Sequence, residues 1–149
     1  MPTLVCSRGA STPVTSEPPL RILVVEDDPP LLALAKAILK RAGYEVVAAS
    51  SAEQARTQVP DLTTIDALFS DVVLPQASGM DLAEELTRDR PDLPVLLTTG
   101  QTDTSRHQEI RATGHQLLLK PYSPEHLCDA LRAVLPGGSG IVARAGDRP

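Results

Sequence analysis

The sequence predicts an α/β protein: a single doubly wound sheet of five parallel strands with helices on both faces. Three observations predict it. Short aliphatic runs alternate five times with segments of helical period between residues 20 and 135, and strands alternating with helices build a parallel sheet through right-handed crossovers. The first run, "LRILVV" (20–25), is aliphatic almost throughout, the pattern of a strand covered on both faces. A chain of 149 residues is also short of the roughly 250 that a closed α/β barrel needs, so the sheet is expected to be open.

Each element has its own local signal. After the first strand, "PPLLALAKAILKRAG" (29–43) places Leu31, Leu34, Ala35 and Ile38 at helical spacing, with Pro29 at its start and Gly43 at its end, each at the helix end that suits it. "YEVVAA" (44–49) is the second strand. Ser50 and Glu53 then read as a Ser-x-x-Glu capping box for a helix running to about Val59. "IDALFS" (65–70) is the third strand, and "GMDLAEELTRD" (79–89) a helix with Leu82 and Leu86 one turn apart. "LPVLLTT" (93–99) is the fourth strand, succeeded by a polar helical segment over 102–113. "QLLL" (116–119) is the fifth. "SPEHLCDALRAVL" (123–135) closes the series, with Ser123 as cap, Pro124 in the first turn, and Leu127, Leu131 and Val134 along one face.

The flanks differ in kind. Residues 1–19 are rich in Pro, Ser and Thr without periodicity and read as a disordered tail; residues 136–149 open on Pro-Gly-Gly and read as a second, flexible one. The domain is expected over 20–135.

Composition narrows the function classes. Hydrophobic residues make up 42% of the chain but aromatics only 2%, so the core must be aliphatic. A formal net charge of -5, with no basic stripe, argues against nucleic acid as a direct partner. Cys6 and Cys128 lie far apart and suggest reduced thiols rather than a disulfide framework. No apolar run approaches the roughly 20 residues of a membrane span, and "TLVC" is too short for a signal-peptide core. A cytoplasmic location is expected. His107, His115 and His126 lack metal-ligand spacing and read as solvent-exposed.

The chemistry gathers at the strand ends. Ligands of open parallel sheets bind beyond the carboxyl ends of the strands, so the residues just past each aliphatic run are the candidates. Glu26, Asp27 and Asp28 stand after the first, Asp71 after the third, Thr99-Gly100 after the fourth and Lys120-Pro121 after the fifth. Carboxylates packed together repel unless a cation sits among them. Mg²⁺ suits that place, being a hard cation that takes carboxylate oxygens and bridges to phosphate. Lys120 supplies a mobile positive charge, Thr99 a hydroxyl, and Gly100 leaves room for an incoming group. Asp71, ionised near neutrality, can act as a nucleophile on phosphorus. Each residue alone has an ordinary explanation; Asp28, before Pro29, could simply cap a helix. The coincidence of four strand ends carries the reading.

At these residues the chain resembles the receiver domain of two-component response regulators, over about residues 20–135. The matching text is "ILVVEDD", "FSDVVLP", "SGMDL", "LPVLLTTG" and "LLLKPYSPEHL", its last three pieces closest in wording to receivers of hybrid histidine kinases. The resemblance implies a flavodoxin-like (βα)5 fold and a phosphoacceptor rather than an enzyme. It implies Asp71 as the phosphorylated residue and Glu26 and Asp27 as the Mg²⁺-holding pair, with the Val73 carbonyl as a further ligand and Asp28 just outside the pattern. It implies Thr99 as the switch hydroxyl and Lys120 as the phosphoryl-contacting lysine, its bond to Pro121 being typically cis. The implied donor is a histidine kinase or histidine phosphotransfer protein, and the implied output a downstream protein partner on the face of helix 4, strand 5 and helix 5, through which such domains also often form homodimers.

The chain departs from the family at one position. Receivers often carry an aromatic three residues before the lysine, and here Leu117 stands there, with Tyr122 expected as a packing residue. Two other readings compete. A receiver that binds partners regardless of phosphorylation would be marked by loss of the Asp, Thr or Lys, and all three are present. An aspartate-nucleophile phosphatase needs a second carboxylate two residues after its nucleophile, where this chain has Val73.

Overall fold

The computed structural model describes residues 19–100 and 104–136. Cys6 and nearly all of the two expected tails lie outside the described residues. Five strands form one parallel sheet: β1 (Arg21–Val25), β2 (Glu45–Ala49), β3 (Ala67–Asp71), β4 (Val95–Gly100) and β5 (Gln116–Lys120). Five helices connect and close it: α1 (Pro29–Arg41), α2 (Ala52–Gln58), α3 (Gly79–Asp89), α4 (Thr104–Ala112) and α5 (Pro124–Val134). The strand order is β2-β1-β3-β4-β5, and every neighbouring pair is parallel. This is the expected doubly wound fold.

Alternation along each strand builds two aliphatic layers, because successive side chains leave opposite faces. Leu23, Val25, Leu68 and Leu97 pack with Ala52 and Ala55 of α2, Leu82 and Leu86 of α3, and Ile110 of α4. Ile22, Val24, Phe69 and Leu96 pack on the other face with Leu39 of α1 and Leu127 and Leu131 of α5. The chain winds outward from β1 to β2, then crosses over to β3, β4 and β5. The switch point therefore lies between β1 and β3, where a crevice opens at their carboxyl ends.

Local signals explain most boundaries. Pro29 opens α1, and Gly43, at φ 101° in the left-handed region, terminates it while the Tyr44 N–H turns back to the Leu39 carbonyl. Ser123 Oγ accepts from the His126 N–H to cap α5. Two expectations are corrected. The cap of α2 is Ser51, whose side chain accepts from the Gln54 N–H, while the Gln54 side chain accepts from the Ser50 N–H; the expected Ser50–Glu53 box is shifted by one residue. Leu34, expected in the apolar stripe of α1, is 46% exposed, because Ala35, Ile38 and Leu39 face the sheet instead.

Candidate functional site

The site is built from the ends of β1, β3 and β5. Asp71 is the last residue of β3 and only 6% exposed. Its Oδ1 accepts from the Val73 N–H at 3.0 Å, and its Oδ2 lies 2.7 Å from Lys120 Nζ at the end of β5. Glu26, one residue beyond β1, is 4% exposed; its Oε1 sits 3.0 Å from the same Nζ and its Oε2 accepts from the Asp28 N–H at 3.2 Å. A single ammonium thus bridges carboxylates that approach it from two strands.

The electrostatics result from that geometry. Burial pushes the Glu26 carboxyl up to about 7; the Lys120 hydrogen bond opposes the shift, and the nearby Asp71 charge adds to it. Burial alone would pull the Lys120 ammonium down, but its hydrogen bonds to Asp71 and Glu26 hold it above its ordinary value. The half-buried Tyr122 hydroxyl is pushed up to about 12, chiefly by desolvation. Tyr122 packs edge-on against Phe69 with ring centroids 5.9 Å apart.

Glu26, Asp27 and Asp71 can bring one oxygen each within 4.8 Å of one another. Three carboxylates, two of them buried, form a donor set of the oxygen-only kind that suits a hard divalent cation such as Mg²⁺. Asp27 is the exposed member, so the cluster opens to solvent on that side. Val73 begins a two-residue ribbon, Val73–Leu74 paired with Ala77–Ser78, and its N–H bond to Asp71 sets its backbone beside the cluster.

The structure brings Glu26, Asp27, Asp71 and Lys120 together directly. Thr99 is buried at the end of neighbouring β4. Its register partner is Leu119, whereas Asp71 is paired with Thr98. Gly100 is paired with Lys120, and among the described residues a Cβ there would meet nothing within 4 Å. Asp28 occupies the N-cap position of α1 but its side chain makes no cap bond. The Lys120–Pro121 bond is cis. Leu117 packs against the layer that holds Leu97 and Ile110. An apolar groove of about 320 Å³, lined by Leu31, Leu34, Lys120, Pro121 and Tyr122, opens beside the lysine.

Two histidines are not solvent-exposed as expected. His107 is 7% exposed and its Nε2 lies 2.9 Å from the Gly100 carbonyl; α4 is so poor in apolar residues that its inner face takes a histidine beside Ile110. His115 is half-buried, and desolvation lowers its pKa. The three-residue spacing of His107 to Ile110, one helical turn, was the available signal.

Other residues at the site were not singled out from sequence. Gly79 opens α3 directly against Asp71: a Cβ there would lie 2.1 Å from the Asp71 carbonyl oxygen and 2.9 Å from Ser70 Oγ. Its N–H donates to the Val72 carbonyl at 2.7 Å, fastening α3 to the strand end. A glycine where a helix starts just beyond a catalytic-type aspartate is the readable trace of that close approach. Ser70 is buried and its Oγ donates to the Asp71 carbonyl at 2.9 Å. Thr98 is 2% exposed, and among the described residues its hydroxyl has no hydrogen-bond partner.

Comparison with known proteins agrees with this architecture. Residues 22–132 match the family model of the response regulator receiver domain, and the chain belongs to that family. It is 33% identical over 125 residues to the phosphate regulon transcriptional regulatory protein PhoB of Pseudomonas aeruginosa, covering 79% of this chain and 54% of that protein. It is 34% identical over 122 residues to the probable transcriptional regulatory protein TcrX of Mycobacterium tuberculosis, covering 78% of this chain and 50% of that one. The chain therefore spans about half the length of these curated relatives. Among solved structures, a response regulator receiver domain protein from Clostridium thermocellum superposes with a TM-score of 0.72 at 29% identity, covering 77% of this chain and 93% of that one. The receiver domain of the hybrid histidine kinase CckA superposes at 0.63, also at 29% identity, covering 77% and 98%.

Proposed function

We propose that residues 20–135 form a phosphoacceptor receiver in two-component signalling, with Asp71 as the acceptor. The observation that carries this reading is the pair of contacts from Lys120 Nζ, 2.7 Å to Asp71 and 3.0 Å to Glu26, beside the Asp27 carboxylate. A lysine held by two buried carboxylates stands where a phosphoryl group on Asp71 would need a positive neighbour.

In the proposed step, a carboxylate oxygen of Asp71 attacks the phosphorus of a phosphohistidine on a histidine kinase or phosphotransfer protein. A P–O bond forms, the P–N bond breaks, and its electron pair stays on the donor's imidazole. Mg²⁺, held by Glu26, Asp27, Asp71 and the Val73 carbonyl, would neutralise charge on the transferring phosphoryl group. Lys120 exchanges its carboxylate contacts for a phosphoryl oxygen, and the Thr99 hydroxyl donates to another. Those two movements alter the face formed by α4, β5 and α5, where a downstream protein binds. Such a domain turns over no substrate of its own and acts in the cytoplasm. The apolar Val73 supports acceptor over phosphatase, since no acid stands two residues beyond Asp71 to protonate a leaving alcohol.

The test is intact-mass spectrometry after incubation with Mg²⁺ and acetyl phosphate, beside an Asp71→Asn control. One phosphoryl adduct is expected, lost with EDTA and absent in the control. A folded protein that takes no adduct would support a receiver that binds partners without phosphorylation, and an adduct on Asp71→Asn would refute the acceptor assignment.

A further inference from the structure

We infer that His107 is a positioning residue that ties the end of β4 to α4 and hands the movement of Thr99 on to that helix. The inference rests on the phosphoacceptor reading above and deepens it. The Gly100 carbonyl can only accept a hydrogen bond, so His107 Nε2, 2.9 Å away, must carry the proton and donate. Gly100 comes directly after Thr99 and is the register partner of Lys120. The carbonyl that His107 grips therefore belongs to the segment that both switch residues share.

The inner face of α4 is small. Its buried residues are His107 and Ile110, so that face meets the rest of the fold with one aliphatic side chain and one side-chain hydrogen bond, the one to Gly100. Leu117 packs in the same layer as Ile110, and it stands where an aromatic could have reported the switch. Among the described residues nothing crowds Gly100, leaving that backbone room to shift. When Thr99 turns toward a phosphoryl group on Asp71, the Gly100 carbonyl moves with it and the His107 bond breaks. The helix then loses its tie to the end of β4, and the signal leaves the site as a loosened α4.

The experiment is amide hydrogen exchange of the whole chain, with and without Mg²⁺ and acetyl phosphate, for wild type, His107→Leu and His107→Gln. Adduct yield is read in parallel by intact mass. In wild type the adduct speeds exchange over Thr104–Ala112 by roughly five- to tenfold, the effect of losing one ordinary hydrogen bond. His107→Leu exchanges that much faster without the adduct and gains nothing from it, at wild-type adduct yield and with the sheet still protected. His107→Gln, which keeps an N–H donor at similar reach, restores the wild-type response. If α4 of His107→Leu responds to the adduct as wild type does, His107 carries no signal and the inference falls. It falls equally if adduct yield collapses in that variant, because His107 then supports the site itself. A wild type that takes no adduct overturns the phosphoacceptor reading, and the inference with it.

Discussion

The two halves of the strand-end edge are built differently. Around β1 and β3 polar groups are closely tied: Asp71 is held by Val73 and Lys120, Glu26 by Lys120 and the Asp28 N–H, and α3 is fastened to Val72 through Gly79. Around β4 the polar ties are fewer among the described residues: the buried Thr98 hydroxyl has no partner there, and α4 buries one histidine and one isoleucine, His107 and Ile110. A fixed charged half beside a loosely held hydroxyl half is what a two-state device requires, since one part must hold its geometry while the other changes. The close packing of one half and the sparse tethering of the other belong to a single arrangement.

A matched pair of substitutions tests that contrast most strongly. Gly79→Ala forces a Cβ into the Asp71 carbonyl and is expected to cost about 2–3 kcal/mol, in the range of overpacked cores. Gly100→Ala, on the loose half, meets nothing within 4 Å among the described residues and is expected to cost less than about 0.5 kcal/mol. Urea unfolding midpoints decide it, and equal losses would erase the distinction between the halves.

Metal addition probes the charged half through pH. The Glu26 carboxyl rises from 4.5 to about 7 on folding, so the metal-free fold binds more protons than the unfolded chain between those values. Its contribution to stability is full below about 4.5 and is lost as pH rises through about 7. Mg²⁺ takes the deprotonated carboxylate and competes with the proton. The rise in Tm on adding Mg²⁺ should therefore be a few degrees larger at about pH 8 than at about pH 5.5, as scanning calorimetry would record. A pH-independent rise would remove Glu26 from the cation site.

The loose half can be sharpened in the opposite direction. Thr98→Val keeps the side-chain shape and removes the unpartnered hydroxyl, so stability should increase by about 1 kcal/mol. A decrease, read from the same unfolding curves, would mean that the hydroxyl has a partner in solution.

Much of this was legible in the residues. The unbroken aliphatic run of β1 and the proline-to-glycine span of α1 specify their elements by local physics. Glu26, Asp27, Asp71 and Lys120 stood out because charged residues end otherwise apolar strands, so topology alone brings them together. Gly79 was less visible, because a missing Cβ matters only against the Asp71 carbonyl that the fold sets against it. His107 was misread because its neighbours in sequence are polar; an inner face made of one isoleucine and one histidine gives too weak a periodicity to place. Thr98 and Thr99 are the same residue type one position apart. Only the strand register separates the one across from Asp71 from its neighbour.

The chain has no tryptophan and only two tyrosines. One of them, Tyr122, lies against Phe69 beneath the acidic edge, two residues past Lys120. Its ultraviolet emission and absorbance are therefore not masked by an indole, and its ring sits in the electric field of Glu26, Asp71 and Lys120. The molecule carries its own optical gauge of the charge at its edge, readable in dilute solution without a label.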